Sequence, residues 1–410
     1  MRAARPGLTV GPLMLFMTAA AFVRPNALTQ DQPTRVPTQD ATARLLTRDA
    51  PNQRRLAAGE VHAYRVQLRN GEYLEATIDQ RGIDVAARML DPSGALLREF
   101  DSPTGALGLE RVRMIAAGDG VHRLEVRALQ PEADAGEYEI RITTVRPAQP
   151  SDKQAEAAVF AESEADRLRA APLTRGESLG RYREARALWR TAADPAGEAS
   201  ALRGMGFALL RLKRDPEAVA VFSEAQTLFR KVGDRRAEAY VYLILAAISA
   251  RQGDLTAALG ASRQALPLWR AARDPEQEAF TLATIATTHA RLKEAPEARQ
   301  MHDEALLVAR ATGRPTLEAA MFRSVGGAAE QLGDRKGALE AYQQALGLWR
   351  QAKHRRGQAS THFAIAGLQE TLGDAASAID HYGRAADLWR DAGVSDQEVV
   401  ARERVSALKK

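Results

Sequence analysis

The chain has 410 residues, 45 % hydrophobic and 27 % charged, with a formal net charge of +5 and no cysteine. The lack of cysteine excludes disulfides, thiolate zinc sites and a cysteine nucleophile in this chain. The remaining composition is ordinary for a soluble folded protein with room for two or three domains, and so mild a positive balance does not argue for nucleic acid, which calls for a clustered basic patch.

At the N-terminus Arg2 and Arg5 precede an apolar run from Leu8 to Val23 that contains Ala19, Ala20 and Ala21. Charged, apolar and small residues in that order mark residues 1–23 as a secretory signal, with cleavage after Ala21. The run is shorter than the roughly 20 residues that span a bilayer comfortably. The expected destination is the periplasm or the medium, with no membrane span after cleavage; an uncleaved N-terminal anchor is the alternative. Residues 24–50 carry Pro25, Pro33 and Pro37 among Gln, Thr and Asp, which predicts a flexible linker.

From 51 to 147 the hydrophobic period is two. Strands are predicted at His62–Leu68, Tyr73–Ile78, Val85–Leu90, Leu96–Phe100, Arg111–Ala116, His122–Arg127 and Tyr138–Thr143. Asn70-Gly71, Asp91-Pro92-Ser93-Gly94, Pro103-Thr104-Gly105 and Gly118-Asp119-Gly120 supply the turns. Short strands at this spacing predict a small antiparallel β-sandwich. The phrases Gln80-Arg81-Gly82-Ile83-Asp84-Val85, Asp91-Pro92-Ser93-Gly94 and Gly136-Glu137-Tyr138 together resemble the bacterial pre-peptidase C-terminal domain. That resemblance implies a jelly-roll-like sandwich on an exported protein, in a family that in some members binds polymers or calcium. Asp84, Asp91, Asp101 and Glu110 are the oxygen ligands one would consider for calcium. The competing reading is turn chemistry, with Asp91 capping its own Pro-Ser-Gly turn, and no metal is assigned.

The rest of the chain follows one ruler. Trp189, Trp269, Trp349 and Trp389 are separated by multiples of 40, and Phe229 and Ala309 fill the skipped steps. Arg follows each of these six residues and Ala stands four before it, as in Ala185, Trp189 and Arg190. A constant period of this size marks an α-solenoid of stacked repeats, here 154–394. First helices are predicted near 196–212, 236–252, 276–292, 316–332 and 356–372, and second helices near 215–232, 255–272, 295–312, 335–352 and 375–392. Pro195, Pro216, Pro275, Pro296 and Pro315 open helices, and Asp194, Asp215 and Asp274 stand where caps are needed. Gly253-Asp254, Gly333-Asp334 and Gly373-Asp374 break and then cap. A degenerate unit leads at 154–192, and Ser395-Asp396-Gln397-Glu398 reads as a capping box that opens a terminal helix in 395–410.

The small residues Gly206, Ala246, Ala286, Gly326 and Ala366, the two alanine series at Ala218 and Ala225, and the large Phe222, Tyr342 and Tyr382 resemble the tetratricopeptide repeat. Each unit is six residues longer than the standard 34, and Arg230 and its equivalents stand in place of the closing proline. Signal, sandwich and repeats in this order resemble the front of bacterial proteins that carry a caspase-like (CHAT) peptidase after such repeats. That peptidase needs a cysteine, so the resemblance implies a shared scaffold without peptidase activity in this chain.

Other constellations are weak. Gly176-Glu177-Ser178-Leu179-Gly180 has the letters of a hydrolase elbow but no strand before it. The seven histidines form no His-Glu-x-x-His helix. No catalytic residue, metal or cofactor is assigned. The tryptophan series reads as core, and the Arg190 series, followed eight residues later by Glu198, Glu238, Glu278, Glu318, Gln358 and Glu398, as an ion-pair ladder between units. The tetratricopeptide resemblance puts the binding groove on the first helices, at Arg203, Phe207, Arg211, Tyr240, Leu243, Arg251, Phe280, Arg291, Arg323 and Phe363. Glu330 and Glu370 would make its later end acidic. Such a groove suits a protein partner or an extended peptide of acidic character, and nucleic acid is not expected. The expected function is an exported, non-enzymatic scaffold. The alternatives are an adaptor for a caspase-like peptidase in a separate chain, and polymer or calcium binding by the sandwich.

Overall fold

The computed structural model describes residues 43–48, 50–101, 109–129, 135–170 and 174–409. The expected signal and most of the expected linker lie outside them. The described residues form nine strands followed by thirteen helices and divide into two compact units, one up to Leu245 and one from Ala246.

The first unit opens with β1 (Arg44–Leu45), β2 (Asn52–Leu56), β3 (Val61–Leu68), β4 (Glu72–Arg81), β5 (Val85–Leu90), β6 (Leu96–Phe100), β7 (Leu109–Ile115), β8 (Gly120–Ala128) and β9 (Gly136–Pro147). A five-stranded sheet in the order β1-β3-β8-β5-β6 and a four-stranded sheet in the order β2-β9-β4-β7 share one core. Tyr64, Ile78, Met89, Val112, Leu124 and Ile140 are buried in that core. Inside it the hydroxyls of Tyr64 and Tyr138 lie 2.6 Å apart, and His62 Nδ1 is 2.8 Å from the Tyr138 hydroxyl. All pairings are antiparallel except β1 with β3, which is parallel. The sequence reading has neither β1 nor β2. β1 lies in the expected linker, where Leu46 is buried, and β2 alternates half-buried Asn52 and Arg54 with exposed Gln53 and Arg55, with Leu56 as its one apolar residue.

The helices are α1 (Pro150–Ala170), α2 (Arg175–Thr191), α3 (Pro195–Arg211), α4 (Asp215–Val232), α5 (Arg235–Gln252), α6 (Leu255–Ala271), α7 (Pro275–Arg291), α8 (Ala295–Ala311), α9 (Pro315–Leu332), α10 (Arg335–Gln351), α11 (Arg355–Thr371), α12 (Ala375–Asp391) and α13 (Ser395–Leu408). The unit boundary falls within α5. From Ala193 to Gly393 every twentieth residue has positive φ: Ala193, Lys213, Gly233, Gly253, Arg273, Lys293, Gly313, Gly333, Lys353, Gly373 and Gly393. Each left-handed residue ends one helix, so the 40-residue ruler is two equal half-steps. Asp194, Asp254, Asp274, Asp334 and Asp374 then accept amide hydrogen bonds as caps. Two expected caps fail by one residue. Arg214 stands at the cap before α4, which leaves Asp215 in the first turn. Val394 stands at the cap before α13, which puts Ser395 inside the helix and leaves Glu398 with Arg402, 2.9 Å away, instead of a capping box.

Trp189, Phe229, Trp269, Ala309, Trp349 and Trp389 are all buried. Their seats are cut by small residues. A Cβ on Gly197 would enter the Trp189 ring, one on Gly204 the Tyr182 ring and one on Gly206 the Phe222 ring. In the second unit Gly326 faces Tyr342 and Gly357 faces Trp349 in the same way. Where the ruler shrinks to Ala309, the position eight residues later grows to Leu317, and both sit in one buried cluster. The arginine ladder forms as Arg190–Glu198 (3.7 Å), Arg230–Glu238 (2.8 Å), Arg270–Glu278 (2.7 Å) and Arg310–Glu318 (2.7 Å), but not at its last expected step, where Arg390 turns to Asp387 and Asp391 and Glu398 to Arg402 on its own helix. Its exposed guanidiniums limit each pair to about 0–1 kcal/mol, so the aromatic seats carry the stacking. Gly357→Leu should cost about 1–3 kcal/mol by overpacking and Trp349→Ala about 3–5 kcal/mol by leaving a cavity. The double variant, which restores the Ala309/Leu317 sizes, should cost less than their sum by more than about 1 kcal/mol. Urea denaturation of the four forms measures this; additive costs would mean that the two side chains do not share a space.

Candidate functional site

Val112 and Met114 of β7 enter the sandwich core, while the alternate residues Arg111 and Arg113 line a cleft against α1, α2, α3 and α5. The cleft opens to solvent. The sandwich is fixed there by charge. Arg113 is buried, with its Nε 2.8 Å from Glu75 Oε1 and its Nη2 2.8 Å from Asp194 Oδ2. Its guanidinium also lies 5.0 Å from the centre of the Trp189 ring. Asp194 is at the same time the cap of α3. Arg236 of α5 forms an ion pair with Asp79 of β4, and Ile115 N donates to Glu156 of α1. Breaking a buried pair by removing one partner typically costs about 3–5 kcal/mol.

The cleft floor belongs to the helices. Trp189 Nε1 donates to Glu162 Oε1 at 2.8 Å. Burial pushes the Glu162 carboxyl up to about 7. Arg203 is 6 % exposed and lies 5.5 Å from the Phe229 ring centre. Its Nε is buried and has no hydrogen-bond partner among the described residues. Glu110 accepts from Gln80 Nε2 at 3.1 Å, and Asp166 accepts from the Tyr182 hydroxyl and from Arg169 Nη2.

Of the residues read from sequence as groove, Arg203 and Tyr240 line this cleft. Phe207 is buried, edge-on to Phe222 at 5.4 Å. Arg211 and Leu243 are half-buried. In the second unit Arg251 is exposed, and Arg291 donates to Ala250 O at 2.9 Å. There α7 packs on α9 and α9 on α11, and these first helices carry the half-buried Phe280, Arg323 and Phe363. Phe363 also packs 4.9 Å from Tyr382 and 5.4 Å from Trp389. Glu330 and Glu370, expected as the acidic end of the groove, are spent within the repeats: each takes the hydroxyl of the tyrosine on its own second helix, Tyr342 or Tyr382.

The other sequence candidates resolve into structure. Asp91 accepts from Ser93 N, Ser93 Oγ and Ala95 N at 2.6–2.8 Å, which is turn chemistry. Asp84 and Glu110 are buried. Among the described residues no three His, Asp or Glu gather as a metal site. Ser178 is buried within α2, with no strand before it. Sequence reasoning missed Arg111, Arg113, Asp79 and Glu162. On a strand whose other face is apolar, an Arg-x-Arg alternation reads as a solvated face, and only the helices packed against it reveal its role.

Residues 197–271 and 317–391 match the tetratricopeptide repeat family. Among solved structures the chain is similar to aspartyl phosphate phosphatase F from Bacillus subtilis, at 13 % identity over 64 % of this chain and 72 % of that one, with a TM-score of 0.45. It is also similar to a Rap protein complexed with competence and sporulation factor, at 14 % identity over 62 % and 75 %, with a TM-score of 0.41. A third is a signal-transduction ATPase with a tetratricopeptide repeat sensor from Pyrococcus horikoshii, at 14 % identity over 60 % and 39 %, with a TM-score of 0.38. No curated protein matches the sequence. Among the described residues no helix is long and apolar enough to cross a membrane.

The largest upward shifts of carboxyls fall in the first unit and the largest downward shifts of histidines in the second, against smaller opposite shifts at His62 and Glu330. In the first, burial pushes Asp84 and Glu162 up to about 7. In the second, burial holds His302 and His362 down to about 4, and His381, with its Nδ1 2.9 Å from that of His362, adds to the depression of His362. A folded state that keeps carboxyl protons longer than the unfolded chain loses stability as pH rises from about 4 to 7; one that refuses histidine protons loses it as pH falls from about 6.5 to 4. Hydrogen exchange corrected for intrinsic rates should show the first unit loosening between pH 5 and 7 and the second tightening. Glu162→Gln should weaken the first response and His362→Gln the second. Parallel responses of the two units would contradict the assignment.

Proposed function

We propose that the chain is an exported, non-enzymatic scaffold whose repeat helices hold a protein segment on the face of the first helices. One observation carries this reading: in the first unit that face, at Arg203, Arg236 and Tyr240, already stands against strand β7 of the chain's own sandwich. The junction is closed by Arg113–Asp194 and Arg236–Asp79. Side-by-side first helices present small, aromatic and charged residues to an extended segment, which suits charge-assisted peptide recognition. In the second unit the corresponding face of α7, α9 and α11 carries Phe280, Arg323 and Phe363, and an extended partner with acidic side chains fits Arg323. The charged-then-apolar order of residues 1–23 supports export.

A photocrosslinking residue in place of Phe280 should capture a partner that is not captured from Leu307 on α8, a second helix, where the side chain is 70 % exposed. Arg323→Glu should weaken that partner roughly tenfold or more, as loss of a charge-assisted contact does. Equal capture from positions 280 and 307 would reject the face.

A further inference from the structure

The cleft in the first unit holds a buried donor, Arg203 Nε, without a hydrogen-bond partner among the described residues, and the scaffold reading does not use it. Most charges on its walls are matched. Arg113 holds Glu75 and Asp194, Arg236 holds Asp79, Asp166 holds Arg169 and Tyr182, and Glu110 holds Gln80. Asp101 also lines the cleft, where burial, with Glu110 and Asp166 nearby, pushes its carboxyl up to about 7, and Asp234 caps α5 through Ala237 N. Arg111 and Arg203 stand on facing walls, with Asp234, Asp194 and Glu75 favouring the charge of Arg111 and Arg203 favouring the ionised form of Glu162. Arg111 projects from β7 and makes no ion pair among the described residues. Arg203 projects from α3, is 6 % exposed and has a buried Nε without a hydrogen-bond partner. Burying a guanidinium nitrogen without an acceptor costs free energy.

We propose that this cleft is a binding site for a small organic oxyanion, a carboxylate or a phosphate ester, held between Arg111 and Arg203. Planar guanidiniums match both anions through paired N–H donors. The walls around them, Phe100, Phe229 and Tyr240, suit an aromatic or apolar body behind the anionic group. Since one arginine comes from the sandwich and the other from the repeats, the ligand ties the two together and adds to the stability of the first unit by mass action.

The test uses the full chain, with benzoate and phenyl phosphate as separate probes in isothermal titration at pH 6.5. At least one probe binds, and whichever binds tighter names the anion class. Arg203→Met and Arg111→Met each lower that affinity roughly tenfold or more, the loss expected for one charge-assisted contact. Arg203→Met leaves the unliganded melting temperature unchanged or raised, because it removes a buried charge without a partner. No heat with either probe, or binding that survives both substitutions, overturns the site. A lowered melting temperature in Arg203→Met also overturns it, since Arg203 would then be a structural residue already satisfied in the free protein.

Discussion

A helix that stops every twenty residues governs everything downstream of Ala193. With the left-handed residue fixed at that interval, helices of nearly equal length follow one another, and the ruler position comes round buried in every hairpin. Large aromatic side chains are buried along the repeats, and at Trp189 and Trp349 they fit because glycine stands opposite. The pairings Gly197 with Trp189 and Gly357 with Trp349 hold in separate units, so the seat is a property of the repeat and not of one location. The price is paid at Ala193, Lys213, Arg273, Lys293 and Lys353, non-glycine residues held at positive φ, each costing of order 1 kcal/mol or more. A backbone that accepts that strain five times is held in place by what packs around the turns.

The sandwich depends on the repeats for its charged face. Arg113 in a free sandwich would be a solvated strand residue; against α2 and α3 it is a buried cation shared by two carboxylates and stacked on a repeat tryptophan. Asp194 caps a helix with one oxygen and holds the strand with the other. That double duty ties the placement of β7 to the geometry of a repeat turn, and it explains why the first compact unit runs from the sandwich into α5 rather than ending at Pro147.

The sequence made the repeats legible because their information is periodic: a helix phase read once is checked at Trp189, Phe229, Trp269 and onward. The strands from β3 to β9 were legible from alternation and turn residues. What escaped was information carried by single contacts. β1 and β2 have too few apolar residues to alternate visibly. The caps at Arg214 and Val394 were displaced by one residue because cap identity follows backbone geometry set by the left-handed turn, not the nearest Asp or Ser. Glu330 and Glu370 looked like groove carboxylates because their tyrosine partners lie twelve residues away, on the second helix. The cleft at Arg111 and Arg203 joins residues of different domains, and no local pattern announces such a meeting.

The constraint of constant length has a direct measurement. Excising residues 355–394, one full period, joins His354 to Ser395 and sets Trp349 where Trp389 stood relative to α13. Excising residues 361–394 removes less than a period and breaks the phase. Tryptophan-fluorescence urea denaturation should show a single cooperative transition for the second unit in the first variant, at a lower midpoint than the parent, and a broad or absent transition in the second. If both excisions melt alike, stacking does not depend on the period, and the account is wrong.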